Sequence, residues 1–231
     1  MRFFDRHSRD TDLFCLQEVF PSVASPRSLL GKVRPTLFHD IQEILPRFNG
    51  YHAMARESDV GGLAIFAKDS LGVKSVDHLV LFPDVHELAY EKEEGYFSMG
   101  RDLQRMEFDH SGKTYTVFNF HGMWVYKGKV DTDKRIEQSE KLRRIFNEST
   151  GSRILCGDFN LPPDTISMKI LSEGSRNLIS EYGIASTRSS SYTGSVKFAD
   201  YVIISPEVEV QDFKVLQEEV SDHLPLLVEF D

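Results

Sequence analysis

The chain has 231 residues, is 40% hydrophobic and 27% charged, and carries a formal net charge of -9 with a pI near 5.4. That length and composition suit one sizeable core in a single domain spanning 1–231, and no apolar run is long enough to span a bilayer. The acidity, with no long Lys/Arg block, argues against a protein that grips duplex nucleic acid over a broad basic face.

Met1 to Arg9 reads as the last turns of a helix, with Phe3 and Phe4 turned inward. Asp12 to Glu18 is an apolar strand ending in a carboxylate, followed by a loop rich in Ser and Pro. Thr36 to Leu45 places Leu37, Ile41, Ile44 and Leu45 on one helical face, with Thr36 as cap and Pro46 as stop. Tyr51 to Ala55 and Gly61 to Lys68 read as paired strands joined by a polar turn through Asp59, and Val73 to Leu81 as a further strand. Pro83 to Gly100, with Glu91, Glu93 and Glu94, reads as exposed loop.

Leu103 to Asp109 and Lys113 to Phe120 flank Ser111-Gly112, a two-residue hairpin signal. Trp124 to Asp133 is a polar loop. Lys134 to Glu148 is a helix burying Leu142, Ile145 and Phe146, with Arg135 and Gln138 on its exposed face. Ile154 to Cys156 is a short buried strand, and Pro163 opens a shorter helix carrying Ile166, Ile170 and Leu171 on its apolar side. Ser189 to Ser191 is loop. Phe198 to Ile204, Glu207 to Leu216 and Leu224 to Phe230 complete the strands. Cys15 and Cys156 both fall inside strands and read as buried apolar thiols, which gives no disulfide framework and no argument for export.

Several of these strands end the same way. The apolar run Ile154-Leu155-Cys156 gives way at Gly157 to Asp158 and Asn160, two apart and so on one side of an extended chain. Taken alone this pair reads as an Asx turn running on into Pro162 and Pro163. Glu18, then Asn119 and His121, repeat the pattern at the ends of two other strands. Asp200 and Asp222-His223 stand where two more begin. Carboxylates, an amide and imidazoles gathered at strand ends suit a hard cation and phosphate oxygens.

Gln17-Glu18, Asn119-Phe-His121, Gly157-Asp-Phe-Asn160, Ala199-Asp-Tyr201 and Ser221-Asp-His223 resemble, in order and approximate spacing, the motifs of the endonuclease/exonuclease/phosphatase superfamily. The resemblance implies an α/β, DNase I-like four-layer sandwich of two mostly antiparallel sheets with helices on the outer faces. It implies a Mg²⁺-dependent phosphoesterase, with Mn²⁺ as an alternative ion, hydrolysing a phosphodiester by water attack. The substrate would be nucleic acid or a small phosphodiester, and the protein a cytoplasmic monomer. A phospholipid or inositol-phosphate hydrolase is the alternative enzyme, and a catalytically impaired scaffold of the same fold the alternative to an enzyme.

Residue by residue, Glu18 is similar to the metal-binding glutamate and Asp222 to a further metal-side carboxylate. Asp158 resembles the group that orients or deprotonates the water, and Asn160 the amide on the scissile phosphate. His223 and Asp200 resemble a histidine and its partner carboxylate, and His121 a second histidine. Asn119 and Arg101 are the expected substrate-side residues, with Tyr192, Lys197 and Trp124 weaker candidates by position. The resemblance also implies one more strand, ending in asparagine, ahead of the first helix. The chain is therefore expected to be truncated at its N-terminus relative to the family.

Overall fold

The computed structural model describes residues 1–21, 34, 36–53, 61–81, 102–125 and 128–231. Helix α1 (Arg2–His7) leads directly into strand β1 (Leu13–Val19), which is followed by α2 (Leu37–Ile44), β2 (Phe48–Ala53) and β3 (Gly62–Lys68). Next come β4 (Gly72–Val80), β5 (Asp102–His110), β6 (Lys113–His121), α3 (Asp133–Glu148) and β7 (Ser152–Asp158). The chain closes with α4 (Ile166–Ser172), β8 (Arg176–Asn177), α5 (Leu178–Glu181), β9 (Asp200–Ile204), β10 (Val210–Val215) and β11 (Leu226–Phe230).

Strands pair in the orders β1-β3-β2 and β4-β5-β6-β7-β9-β8, with β10-β11 as a separate two-stranded ribbon. Every pairing is antiparallel except β6 with β7, which the long α3 crossover allows to run parallel.

Side-chain alternation explains the layers. On β1, Phe14 and Leu16 pack with Phe3 and Phe4 of α1, and with Ile41 and Phe38 of α2, in one apolar cluster. Leu13 and Cys15 belong to the second, larger cluster. On the six-stranded sheet, Phe118, Leu155 and Ile203 share a row, and the Phe118 ring lies 5.7 Å from that of Phe146 on α3. The adjacent row, Gln104, Asn119, Cys156 and Val202, faces the other way, toward the small sheet. The result is helix, sheet, sheet, helix, as the resemblance implies. β10-β11 closes one side, with Phe230 against Tyr115 and Phe213 against Tyr182.

Polar groups tie the two sheets together. Asn119, with no exposed surface, donates from Nδ2 to the carbonyls of Leu16 (3.0 Å) and Ala64 (3.2 Å), and its Oδ1 accepts from Gln17 Nε2 at 2.6 Å. Gln104 donates to the Tyr51 carbonyl at 2.8 Å. This corrects the expectation for Asn119: its amide is committed between the sheets and has no surface left for a substrate.

Other expectations shift for local reasons. The strand expected from Tyr51 starts at Phe48, and the turn through Asp59, like the acidic run of Glu91, Glu93 and Glu94, lies outside the described residues. Helix α4 begins after Pro163, because Thr165 is its cap and accepts from Met168 N at 3.3 Å, and this leaves Ile166 on the exposed side. Cys15 and Cys156 face each other across the sandwich and are half-buried. Arg135 and Gln138, expected on an exposed helix face, are buried.

Replacing Asn119 by alanine strands a glutamine side chain and two carbonyls in the interior. The expected loss is at least about 3 kcal/mol, from about 1–3 for each of the three groups left unpaired, read by urea unfolding. A loss below about 0.5 kcal/mol would mean that these bonds do not join the sheets.

Candidate active site

The site is built from the ends of three neighbouring strands. Because β6 and β7 run parallel, both finish at the same edge, with His121 opposite Asp158. Because β9 runs antiparallel to β7, its first residue, Asp200, falls opposite Asp158. One row of the sheet therefore presents His121, Asp158 and Asp200 side by side. The close approach that permits this is made at Gly157. Its φ of 138° and a distance of 1.9 Å from an added Cβ to the Phe120 carbonyl oxygen leave no room for a side chain.

His223 arrives from the loop after β10 and is placed by an isolated antiparallel bridge to Arg188. Its Nδ1 lies 2.8 and 2.9 Å from the two carboxylate oxygens of Asp200, whose Oδ2 also accepts from Thr187 Oγ1 at 2.9 Å. This arrangement gives Nδ1 the proton and turns Nε2 toward Asp158 Oδ2, 3.8 Å away. On the opposite side, His121 Nε2 is 4.0 Å from the same Asp158 oxygen and 3.9 Å from Glu18 Oε1. Asp158 thus sits between two imidazoles, while its Oδ1 accepts from Asn160 N at 2.7 Å. The Asn160 side chain donates to the Gly122 carbonyl at 3.2 Å.

Backbone conformation marks the same residues. Glu18 and Asn160 hold φ of 59° and 54°, left-handed values that a non-glycine residue adopts at some cost.

Electrostatics follow from burial and crowding. Burial pushes the Asp200 carboxyl up, and the Asp158 charge adds to this, against the hydrogen bonds from His223 and Thr187. For His223, burial opposes the charged form, but the hydrogen bond to Asp200 and the charges of Asp200 and Asp158 outweigh it. They raise the imidazole above its ordinary value despite Arg188.

Arg188 is a residue the sequence did not single out. It is buried, with its guanidinium 4.2 Å from the Tyr192 ring centre, and Nη1 reaches Asp222 Oδ2 at 2.9 Å and the Nε2 of His223. Thr187 was equally silent in the sequence, because neither residue belongs to a motif or a strand. Tyr192 enters as the platform for Arg188, whereas Lys197 is exposed and contributes its backbone carbonyl to Thr187 N. Trp124 is half-buried, and Arg101 lies outside the described residues.

Arg135 was read as an exposed helix residue but spends all its donors on carbonyls. These are Met123 (3.2 and 2.8 Å), Gly128 (3.1 Å), Val130 (2.6 Å) and Asn160 (3.2 Å). It locks the segment after His121 to the segment after Asp158.

The fit of a divalent cation rests on the oxygen donors. Asp158, Asp200 and His223 offer ligand atoms within 4.8 Å of one another, but His223 and Asp200 are already bonded together. The exposed Glu18 carboxylate, facing His121, is the freer donor. Asp222 is half-exposed and shared with Arg188. Carboxylates of this kind fit a hard cation bound largely by oxygen and water.

Strand ends that bring carboxylates and two imidazoles together are an arrangement suited to phosphoester hydrolysis. The chain belongs to the endonuclease/exonuclease/phosphatase family, whose model matches residues 3–223, and is a phosphoester hydrolase of the divalent-metal-dependent kind. No curated protein sequence matches it. Among solved structures it is similar to a Bacteroides thetaiotaomicron mannosyl-6-phosphatase, at 20% identity and a TM-score of 0.71, over 100% of this chain and 88% of that one. It is similar to D. rerio TDP2 complexed with a single-strand DNA product, at 12% identity and a TM-score of 0.69, over 100% and 89%. ANGEL2, a 2',3'-cyclic phosphatase, is similar at 18% identity and a TM-score of 0.65, over 99% and 84%. Among the described residues no helix is long and apolar enough to cross a membrane.

An NMR titration of the metal-free protein should find His223 protonated to higher pH than an ordinary histidine, whose value is 6.5. Asp200→Asn removes both the hydrogen-bonded carboxylate and its charge, so the His223 titration should move to lower pH than in wild type. An unchanged titration would mean that the pair is not coupled.

Proposed function

We propose that this protein is a Mg²⁺-dependent phosphodiesterase, nuclease-like in its chemistry, that hydrolyses its substrate by water attack. The observation that carries this reading is the placement of Asp158 Oδ2 between two imidazole Nε2 atoms, 4.0 Å from His121 and 3.8 Å from His223. Each gap is wider than a hydrogen bond, so the three groups are not bonded to one another, and a water or a phosphoryl oxygen beside them can bridge a pair from the side. A diester releases an alkoxide, which benefits from a proton donor on the side opposite the attacking water.

In this reading Asp158 orients and deprotonates the water, held in place by the Asn160 backbone N–H. His223, fixed by Asp200 and kept chargeable by it, stabilises negative charge on the phosphoryl oxygens. His121 serves the leaving oxygen, and the Asn160 amide, already donating to Gly122, is positioned to share its other hydrogen with the phosphate. Glu18, assisted by Asp222, would hold Mg²⁺, or Mn²⁺ in its place. When bound, the ion supplies a Lewis acid for the phosphoryl oxygens. Arg101 remains a proposed phosphate contact from the sequence alone. The intact His223–Asp200 pair favours an active enzyme over an impaired scaffold. We place it as a cytoplasmic monomer acting on nucleic acid or a small phosphodiester.

The test is turnover of bis-(p-nitrophenyl) phosphate and single-stranded DNA, with Mg²⁺ and with chelator. Asp158→Ala should lower kcat by at least about a hundredfold, the lower end of what a positioned base supplies. Chelator should abolish activity, and Mg²⁺ restore it. Activity of Asp158→Ala equal to wild type, or turnover indifferent to chelator, would reject the reading. Faster turnover of phosphoinositides than of either diester would transfer it to the lipid and inositol-phosphate class.

A further inference from the structure

Lys129 lies in the segment between β6 and α3, and its Nζ is enclosed with no hydrogen-bond partner among the described residues. It does not pack there by default. The carbonyls on either side of it, Gly128 and Val130, are both held by Arg135 Nη1, at 3.1 and 2.6 Å. The same guanidinium binds the Asn160 carbonyl at 3.2 Å. The backbone carrying Lys129 is thereby fixed relative to the Asp158–Asn160 strand end.

The surroundings of the amine are those of the site as well. Burial pulls Lys129 down to about 8, the charges of Asp158 and Asp200 hold it up, and those of Arg188 and Arg135 push it down. Neither carboxylate forms an ion pair with it. Asp158 is taken by the Asn160 N–H, and Asp200 by His223 and Thr187. An enclosed ammonium without a partner is costly, and an apolar side chain of similar length would fill the place at lower cost. Fold stability alone gives no reason for a lysine here, whereas an arriving anion does.

We propose that Lys129 is a phosphate-binding residue, whose ammonium pairs with a non-bridging oxygen of the phosphoryl group placed at Asp158. The inference rests on the reading of Asp158, His121 and His223 as the reacting centre. It adds a cation from a segment that carries none of the family-like motifs. Lys129 would hold the phosphate of the product as well as of the substrate, so binding can be measured without turnover.

Inorganic phosphate is the probe, titrated calorimetrically into wild type, Lys129→Met and Lys129→Arg, with Mg²⁺ and with chelator. Lys129→Met should bind phosphate at least about tenfold more weakly under whichever condition wild type binds, the scale of one lost charge-assisted contact. Lys129→Arg should recover part of the loss. In phosphate-free buffer Lys129→Met should melt at or above the wild-type temperature, since an unpartnered charge has been removed. The melting increase that phosphate gives wild type should shrink. On bis-(p-nitrophenyl) phosphate the loss should fall on kcat/KM.

Equal phosphate affinity of Lys129→Met and wild type under both conditions would overturn the proposal. So would failure of wild type to bind phosphate under either, or a Lys129→Met protein that melts well below wild type. If Asp158→Ala leaves turnover intact while Lys129→Met loses phosphate, the mechanism proposed above fails and the binding role stands.

Discussion

One strand pairing governs the site: β6 beside β7, parallel, with His121 level with Asp158. In an all-antiparallel sheet those two residues would lie at opposite edges. The α3 crossover reverses the chain between them, so two consecutive strands of the sheet terminate together. The antiparallel β9 then supplies its starting residue, Asp200, to the same row. No loop conformation is needed to assemble this trio. Backbone hydrogen bonding sets it, and His223 and Glu18 are brought to a row that already exists.

What the row lacks is a wall, and Arg135 supplies one. Its five donors reach carbonyls from two chain segments that the sheet does not join directly: the stretch from Met123 to Val130 and the turn at Asn160. Guanidinium geometry suits this task, since five fixed donors can be satisfied only by acceptors arranged around them. Arg188, stacked on Tyr192 and bonded to Asp222 and His223, braces the His223 side in the same way.

Much of this was legible before any coordinates. Glu18, His121, Asp158, Asn160, Asp200 and His223 stand where an apolar run meets a polar residue, a change visible in one dimension, and the structure brings all six to one edge. The four layers came from the family resemblance of the motifs, and the side-chain alternation seen in the structure accounts for them. Asn119 misled because its spacing from His121 is that of a same-side neighbour, and only the opposing sheet reveals that its amide is occupied by Gln17 and by the Leu16 and Ala64 carbonyls. Arg135 looked like solvent-facing charge because periodicity does not show which side of a helix opening meets a loop. Arg188, Thr187 and Lys129 gave no local signal, since their partners lie far along the chain. Ile166 was expected inside because Pro163 was taken as the first helical residue, when Thr165 caps the helix instead.

Gly157 separates two ideas that are often treated as one. It has no side chain to offer to any reaction, yet the Phe120 carbonyl occupies the volume that any other amino acid would require there. Among nineteen alternatives none avoids that collision, so selection for folding alone would hold the position invariant. A profile of tolerated substitutions across this protein would rank a residue with no chemistry alongside the groups that perform it. At this edge of the sheet a position can thus be indispensable for steric reasons alone, and for reactivity only where a side chain exists to react.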